Sequence, residues 1–200
     1  ASICFILFSQ IFFSKIKIIY PALTIFASIL PLYFVATSSE YRLSRIETWL
    51  SRKCDFGVDL LGDCFQLNQS RIAISSGGLF GLGPGTSRAR WGSLPNSYSD
   101  FISSIIGEEY GFFGLFLLII AFLILISTTF LIAIREKNET KKLISVGFGG
   151  WIFFQTVVNL GGAVGIVPIT GIVLPFVSYG SSAMISIFIA LGIMYSRDYE

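Results

Sequence analysis

Positions 111–134 hold 24 consecutive residues without a charged side chain. As a helix rising about 1.5 Å per residue, such a run is long enough to cross the roughly 30 Å hydrocarbon core of a bilayer. Two further stretches, 18–37 and 143–167, are nearly as apolar, while 1–13 and 183–196 read as shorter pieces of spanning helices. Apolar side chains make up 54% of the 200 residues, charged ones 13%, and mean hydropathy is +0.77. Those values leave the range of soluble domains. The expected fold is an all-α polytopic membrane protein of about five spans. The chain opens at Ala1 inside an apolar run with no basic leader, so it is expected to be a piece of a longer protein whose first helix here is truncated.

Charge placement orients the spans. The short basic turns hold Lys15, Lys17, Arg135, Lys137, Lys141, Lys142 and Arg197, and basic residues of short loops stay on the cytoplasmic side. The alternation then puts 38–110 outside as a long extracytoplasmic loop, despite its seven Lys and Arg, because long loops obey the charge rule weakly. Within that loop 65–76 has helical character and ends at Gly77-Gly78, a plausible C-cap; Gln66, Gln69 and Ser70 share its face. Residues 168–182, with two prolines and a Ser-Tyr-Gly turn, read as a second outer loop. Gln155 and Asn159, four apart in 143–167, face a bundle interior or cavity, and Gly161, Gly162 and Gly165 permit tight packing beside them. Cys54 and Cys64 either pair across a small loop in an oxidising compartment or stay as two small unpaired residues.

The polar chemistry gathers in one stretch, GGLFGLGPGTSRARWGSLPNSYSDFISSIIGEE at 77–109. It supplies glycines, Arg88 and Arg90, then Asp100 at the mouth of a hydrophobic helix. An ionisable group at a membrane boundary is a candidate site. With no histidine in the chain, a general base must be Asp or Glu. The bland alternative makes Asp100 a helix cap, since Ser97-x-x-Asp100 has capping-box spacing. The glycines lack the Lys-Ser/Thr ending of a nucleotide-binding loop. A net charge of +2 gives no reason to expect a nucleic acid partner.

Five motifs in order resemble one family. YRLSRIETWL is similar to YRxxRxxxFL, and FQLNQSRIAISSGGLFGLG to YQxxQSxxAxGSGGxxGxG. LPNSYSDFISSIIGEEYGFFG resembles LPEAHTDFIFAxIGEELGxxG, WIFFQTVVNLGGAVGIVPITG resembles QAxxNxGxxxGxxPxTG, and LPFVSYGSSAMIS resembles LPFxSYGGSSLI. These are the marks of the SEDS family, the FtsW/RodA/SpoVE proteins, and the 15-residue stretch from Gly81 to Pro95 is nearer the FtsW-like branch. The resemblance implies the C-terminal half of a ten-helix peptidoglycan glycosyltransferase that polymerises lipid II outside the cytoplasmic membrane. It further implies partners: the growing glycan strand, a class B penicillin-binding protein, other division proteins and membrane lipids. The family's essential aspartate falls on Asp100. Around it this chain departs, with Asn96, Ser97, Tyr98 and Ser99 in place of Glu, Ala, His and Thr; a lysine of many relatives is Thr170, and the second glycine of SYGG is Ser181.

Transfer from a polyprenyl diphosphate sugar needs an activated acceptor hydroxyl and cations around the departing diphosphate. Asp100 is the expected base. Arg42, Arg45, Arg88 and Arg90 are candidate diphosphate or headgroup ligands, because planar donors suit phosphate oxygens. Gln66, Gln69, Ser70, Gln155, Asn159, Ser178 and Tyr179 are candidate substrate contacts, the polar helix residues serving equally well as interhelical glue. Glu108 lies eight residues past Asp100, roughly 12 Å in rise, too far for the paired-carboxylate mechanism of retaining glycosidases. Glu108 and Glu109 are expected to orient neighbours at the substrate site. A divalent cation, Mg²⁺ or Mn²⁺, is implied by the family and by the diphosphate, with Asp100 its nearby ligand. A lipid II flippase and a non-catalytic scaffold of the division machinery are the rival classes.

Overall fold

A computed structural model of the chain describes residues 2–14, 19–37, 39–50, 54, 64–92 and 94–195. Among the described residues there are seven α-helices, one short 3-10 turn and no strand. The helices are α1 (Ser2–Phe13), α2 (Ile19–Thr37), α3 (Glu40–Leu50), α4 (Phe65–Ser76), α5 (Ile102–Arg135), α6 (Glu139–Val164) and α7 (Ser181–Tyr195); the 3-10 turn is Ala89–Trp91. By length and apolar composition α5 and α6 are each able to cross a membrane, and α1 and α7 are shorter apolar helices.

Helix α6 is the centre. It packs against α1, α4, α5 and α7 and has several times the buried share of α5, whose long apolar surface is largely exposed. Exposed leucines and phenylalanines on α5 are what lipid, not water, would solvate. Close approach to α1 comes from Gly147 and Gly150: an added methyl would stand 2.6 Å from Gln10 Nε2 at the first and 2.6 Å from Ser9 Oγ at the second. The tight-packing role expected of Gly162 is not seen there, since that position faces open space.

Several ends differ from those the apolar runs suggest, each for a local reason. Helix α6 starts at Glu139 rather than 143 because the Asn138 carboxamide accepts from the Thr140 and Lys141 amides, 2.9 and 3.4 Å, satisfying the first turn. It stops at Val164, before 167, where Gly165 turns left-handed at φ 85° and Ile166 donates back to the Gly161 carbonyl at 2.8 Å. Helix α3, an amphipathic segment with Leu43, Ile46 and Leu50 at helical spacing, lies in the stretch read only as a polar loop. Cys54 and Cys64 form a disulfide with Cα atoms 5.2 Å apart, settling the alternative left open above.

Helix α5 begins at Ile102, upstream of the uncharged run, and is broken at Gly111, where φ is 66° and ψ −160°. An unbroken helix would join Phe112 N to Glu108 O and Phe113 N to Glu109 O. Here the glycine loop takes both places. Leu82 and Gly83 donate to the Glu108 and Glu109 carbonyls at 2.9 and 3.0 Å, while Phe112 and Phe113 donate to the Gly78 and Leu79 carbonyls at 2.9 and 3.2 Å. Backbone meets backbone so closely that a methyl at Gly81 would stand 2.1 Å from Glu109 O, and one at Gly77 1.9 Å from Gly107 O. The glycines of 77–83 and Gly111 therefore form one interlock, which fixes the loop against the helix that starts beside Asp100.

Candidate active site

Asp100 closes a tight turn: its amide donates to Asn96 O at 3.1 Å, with Asn96 in the left-handed region at φ 55°. Helix α5 follows with Phe101 as its N-cap and no side-chain cap bond. The capping-box role is thus not taken, and among the described residues no hydrogen bond or ion pair occupies the Asp100 carboxylate. That half-buried group opens into a small cleft bordered by Asn159, Gly162, Ile169, Thr170 and Gly171, with free volume of about 10 Å³, room for a single water. Gly171, at φ 71°, faces the carboxylate directly; a methyl there would lie 3.5 Å from Asp100 Oδ2. Gly171, Ile169 and Thr170 sit in the PITG stretch, whose place at the cleft no side-chain chemistry announces.

Three clamps hold the turn to the loop between α6 and α7. Asn159 Nδ2 donates both to the Asp100 carbonyl, 2.9 Å, and to the Ile172 carbonyl, 2.8 Å. Ser178 Oγ donates to Ser99 O at 2.5 Å and accepts from Leu174 N at 2.8 Å. Tyr179 N donates to Tyr98 O at 3.0 Å. Asn159 and Ser178 are both buried, and their polar atoms are committed to the chain itself; the substrate-contact role expected of them becomes one of positioning. The Tyr179 ring remains exposed.

Of the candidate cations, Arg45 borders the cleft. Arg45 Nη1 donates to the Ile169 carbonyl and its Nη2 to Gln66 Oε1, each at 3.2 Å, tying α3 and α4 to the cleft wall. Arg90 lies over the rings of Trp91 and Tyr98, 5.5 and 5.9 Å from their centroids, which brings it within two residues of Asp100 in sequence. Arg88 is exposed, Gln69 half-buried, and the side chain of Arg42, on α3, lies outside the described residues.

The substrate-binding place expected of Glu108 gives way to an internal one. It is buried, and its carboxylate accepts from Ser87 Oγ (2.6 Å), Arg88 N (3.1 Å) and Ala89 N (3.2 Å), while Ser87 Oγ accepts from Arg90 N at 3.1 Å. A buried carboxylate is tolerable when bonded this fully. Its effect is to seat the turn that carries both arginines. Ser70 likewise is sealed: Oγ donates to Ala163 O at 2.6 Å, so Ser104 donates to it at 2.7 Å. Glu109 and Gln155 are buried, each with one Oε1 lacking a hydrogen-bond partner among the described residues. Arg71, absent from the sequence-derived set, donates to Val164 O and Cys54 O at 3.0 and 2.8 Å, tying the disulfide loop to the end of α6. Its signal is that it is the one cation in α4.

Among the described residues no three Asp, Glu or Cys side chains converge as a metal cage. A divalent cation at the cleft would have one protein carboxylate, Asp100, and would fill its shell from water and diphosphate oxygens, as Mg²⁺ commonly does.

Apolar helices long enough to cross a membrane, beside a cleft with one unpaired carboxylate and Arg45 on its wall, define a polytopic membrane protein with a polar site at one end of the bundle. The profile of the cell cycle protein family, FtsW/RodA/SpoVE, matches residues 1–200, and the chain belongs to that family. It is 37% identical over 175 residues to the probable peptidoglycan glycosyltransferase FtsW of Wigglesworthia glossinidia brevipalpis, covering 86% of this chain and 45% of that protein. It is 38% identical over 165 residues to the stage V sporulation protein E of Bacillus subtilis (strain 168), covering 80% and 44%. A chain of a solved peptidoglycan synthase complex that coordinates polymerization and crosslinking superposes with a TM-score of 0.68 at 26% identity, over 96% of this chain and 52% of that one. The chain spans about half the length of the curated relatives it matches.

Proposed function

We propose that this chain is the catalytic C-terminal half of a peptidoglycan glycosyltransferase that polymerises lipid II and releases polyprenyl diphosphate. The observation that carries the reading is the unpaired Asp100 carboxylate in a cleft whose walls are held by Arg45 and Asn159. In the reaction, Asp100 takes the proton of the acceptor sugar hydroxyl as that oxygen bonds to the donor anomeric carbon. The bond from that carbon to the diphosphate oxygen breaks, and diphosphate leaves with the electron pair, its charge to be met by Arg45 and the candidate Arg88 and Arg90. A single carboxylate suffices for this inverting displacement.

The same reading makes the chain about five spans of a ten-helix bundle, with 38–110 and 168–182 outside the cytoplasmic membrane. Lys137, Lys141 and Lys142 beside the α5–α6 turn support that orientation, and the Cys54–Cys64 bridge supports an oxidising compartment for the long loop. The relatives' names and the synthase complex support an FtsW-like role, here proposed at the division septum with a class B penicillin-binding protein as transpeptidase partner.

The test is the full-length protein with its partner, supplied with lipid II. Asp100→Asn is expected to lower glycan synthesis by about 10²-fold or more at unchanged thermal stability. Undiminished polymerisation by the variant overturns the assignment; if lipid II translocation is lost instead, the chain is a carrier.

A further inference from the structure

The interlock at Gly111 leaves one feature unused by the catalytic reading. The tip of the glycine loop carries Leu79, Phe80 and Leu82, all exposed, and Phe80 is 80% exposed although it stacks on Phe113 with centroids 5.4 Å apart. Exposed Phe112, Phe113 and Phe116 continue that apolar surface down α5. In water such a cluster would be a liability.

Depth follows from counting along α5. From Arg135 back to Phe112 are 23 uncharged residues, about 34 Å of helix, a few ångströms more than a hydrocarbon core of about 30 Å. With Arg135 at one headgroup layer, Phe112 and Phe113 stand at the edge of the other. The Gly78 and Leu79 carbonyls accept from those two residues, so the loop tip lies at the same depth.

A non-helical segment in hydrocarbon must satisfy its own backbone, whereas one at the boundary can leave some groups to interfacial water. Here the exchange with α5 and the bond from Gly81 N to Gly77 O at 2.7 Å take up the Gly81, Leu82 and Gly83 amides and the Gly77, Gly78 and Leu79 carbonyls. The outward side chains are apolar, and part of the backbone polarity is turned to the helix. From this the geometry points to residues 79–82 as a membrane anchor, a wedge inserted among lipid acyl chains at the outer boundary, in continuity with the lipid face of α5. The anchor ties the loop bearing Arg88 and Arg90 to a fixed depth.

The experiment places a nitroxide at Phe80→Cys in the full-length protein, with other free cysteines such as Cys4 replaced, in phospholipid vesicles. Collision rates with oxygen and with a water-soluble nickel chelate are compared with labels at Phe116→Cys and Lys137→Cys. The expected result is an oxygen-to-nickel ratio at Phe80 matching Phe116 and several-fold above Lys137, with Leu79→Cys as a second reporter should the first variant fold poorly. A ratio like that of Lys137 overturns the anchor in favour of an aqueous loop. Low access to both reagents overturns it in favour of a protein-covered contact. Neither reading depends on catalysis, so the result is independent of the glycosyltransferase assignment.

Discussion

The side-chain amide of Asn159 donates to the main-chain carbonyl of Asp100 at 2.9 Å, so the residue proposed as base is held by α6 as well as by its own turn. The same nitrogen reaches Ile172 O, setting the opposite wall of the cleft from one atom. Asn159→Leu removes both donors while keeping the volume. A positioning role predicts kcat lower by about 10- to 100-fold with KM for lipid II little changed, since small displacements of a catalytic group are costly. Steady-state kinetics with varied lipid II decide it; a raised KM at unchanged kcat would show that the amide binds substrate.

Glu108 acts at a greater distance from the cleft. Replacing it with Gln keeps the shape, but one oxygen becomes an NH₂ facing the amides and hydroxyl that donate to it. The expected loss is about 1.5–3 kcal/mol of local stability, the usual cost when a charged acceptor with buried partners is lost. Limited proteolysis within 84–92 reports it. Protection equal to that of the unaltered protein would mean the carboxylate does not seat the arginine turn.

The parts legible in sequence are those governed by local chemistry. An uncharged run announces α5, and the order of motifs announces the family and Asp100. What sequence left hidden are pairings between distant backbones. Gly111 reads as the first residue of a span, yet it is a break, because its missing hydrogen bonds are supplied by a loop some 30 residues earlier. Asn159, Ser178 and Ser70 stand out in sequence as polar residues in an apolar chain, but composition cannot say whether such a group faces a substrate or a carbonyl. Here each faces carbonyls. Glu108 was expected to orient neighbours, without any indication that the neighbours were the Ser87–Ala89 amides and hydroxyl.

The disulfide closes a short loop, with ten residues of separation between Cys54 and Cys64. Chain-entropy arguments give such a closure about 2–3 kcal/mol. Cys54→Ser with Cys64→Ser is expected to lower thermal stability by that order. Because Arg71 reaches Cys54 O, the loss should also loosen the end of α6 at Val164, read as faster amide exchange at 164–166. Unchanged exchange there would show that Arg71 holds the junction alone.

Two glycines of positive φ test the interlock. Gly78 has φ 55° and nothing within 4 Å of an added methyl, so Gly78→Ala meets only the left-handed penalty, about 1–2 kcal/mol. Gly111 has φ 66°, and its methyl would stand 2.4 Å from Gly81 N and 2.6 Å from Leu79 O. Relieving that contact means parting the two backbones and weakening four hydrogen bonds, each worth about 0.5–1.5 kcal/mol. Gly111→Ala is therefore expected to destabilise the full-length protein by more than Gly78→Ala, by about 2 kcal/mol or more. Thermal unfolding in detergent measures both. Equal shifts would reduce the glycine loop to a surface turn, since the close backbone approach at Gly111 would then carry no cost.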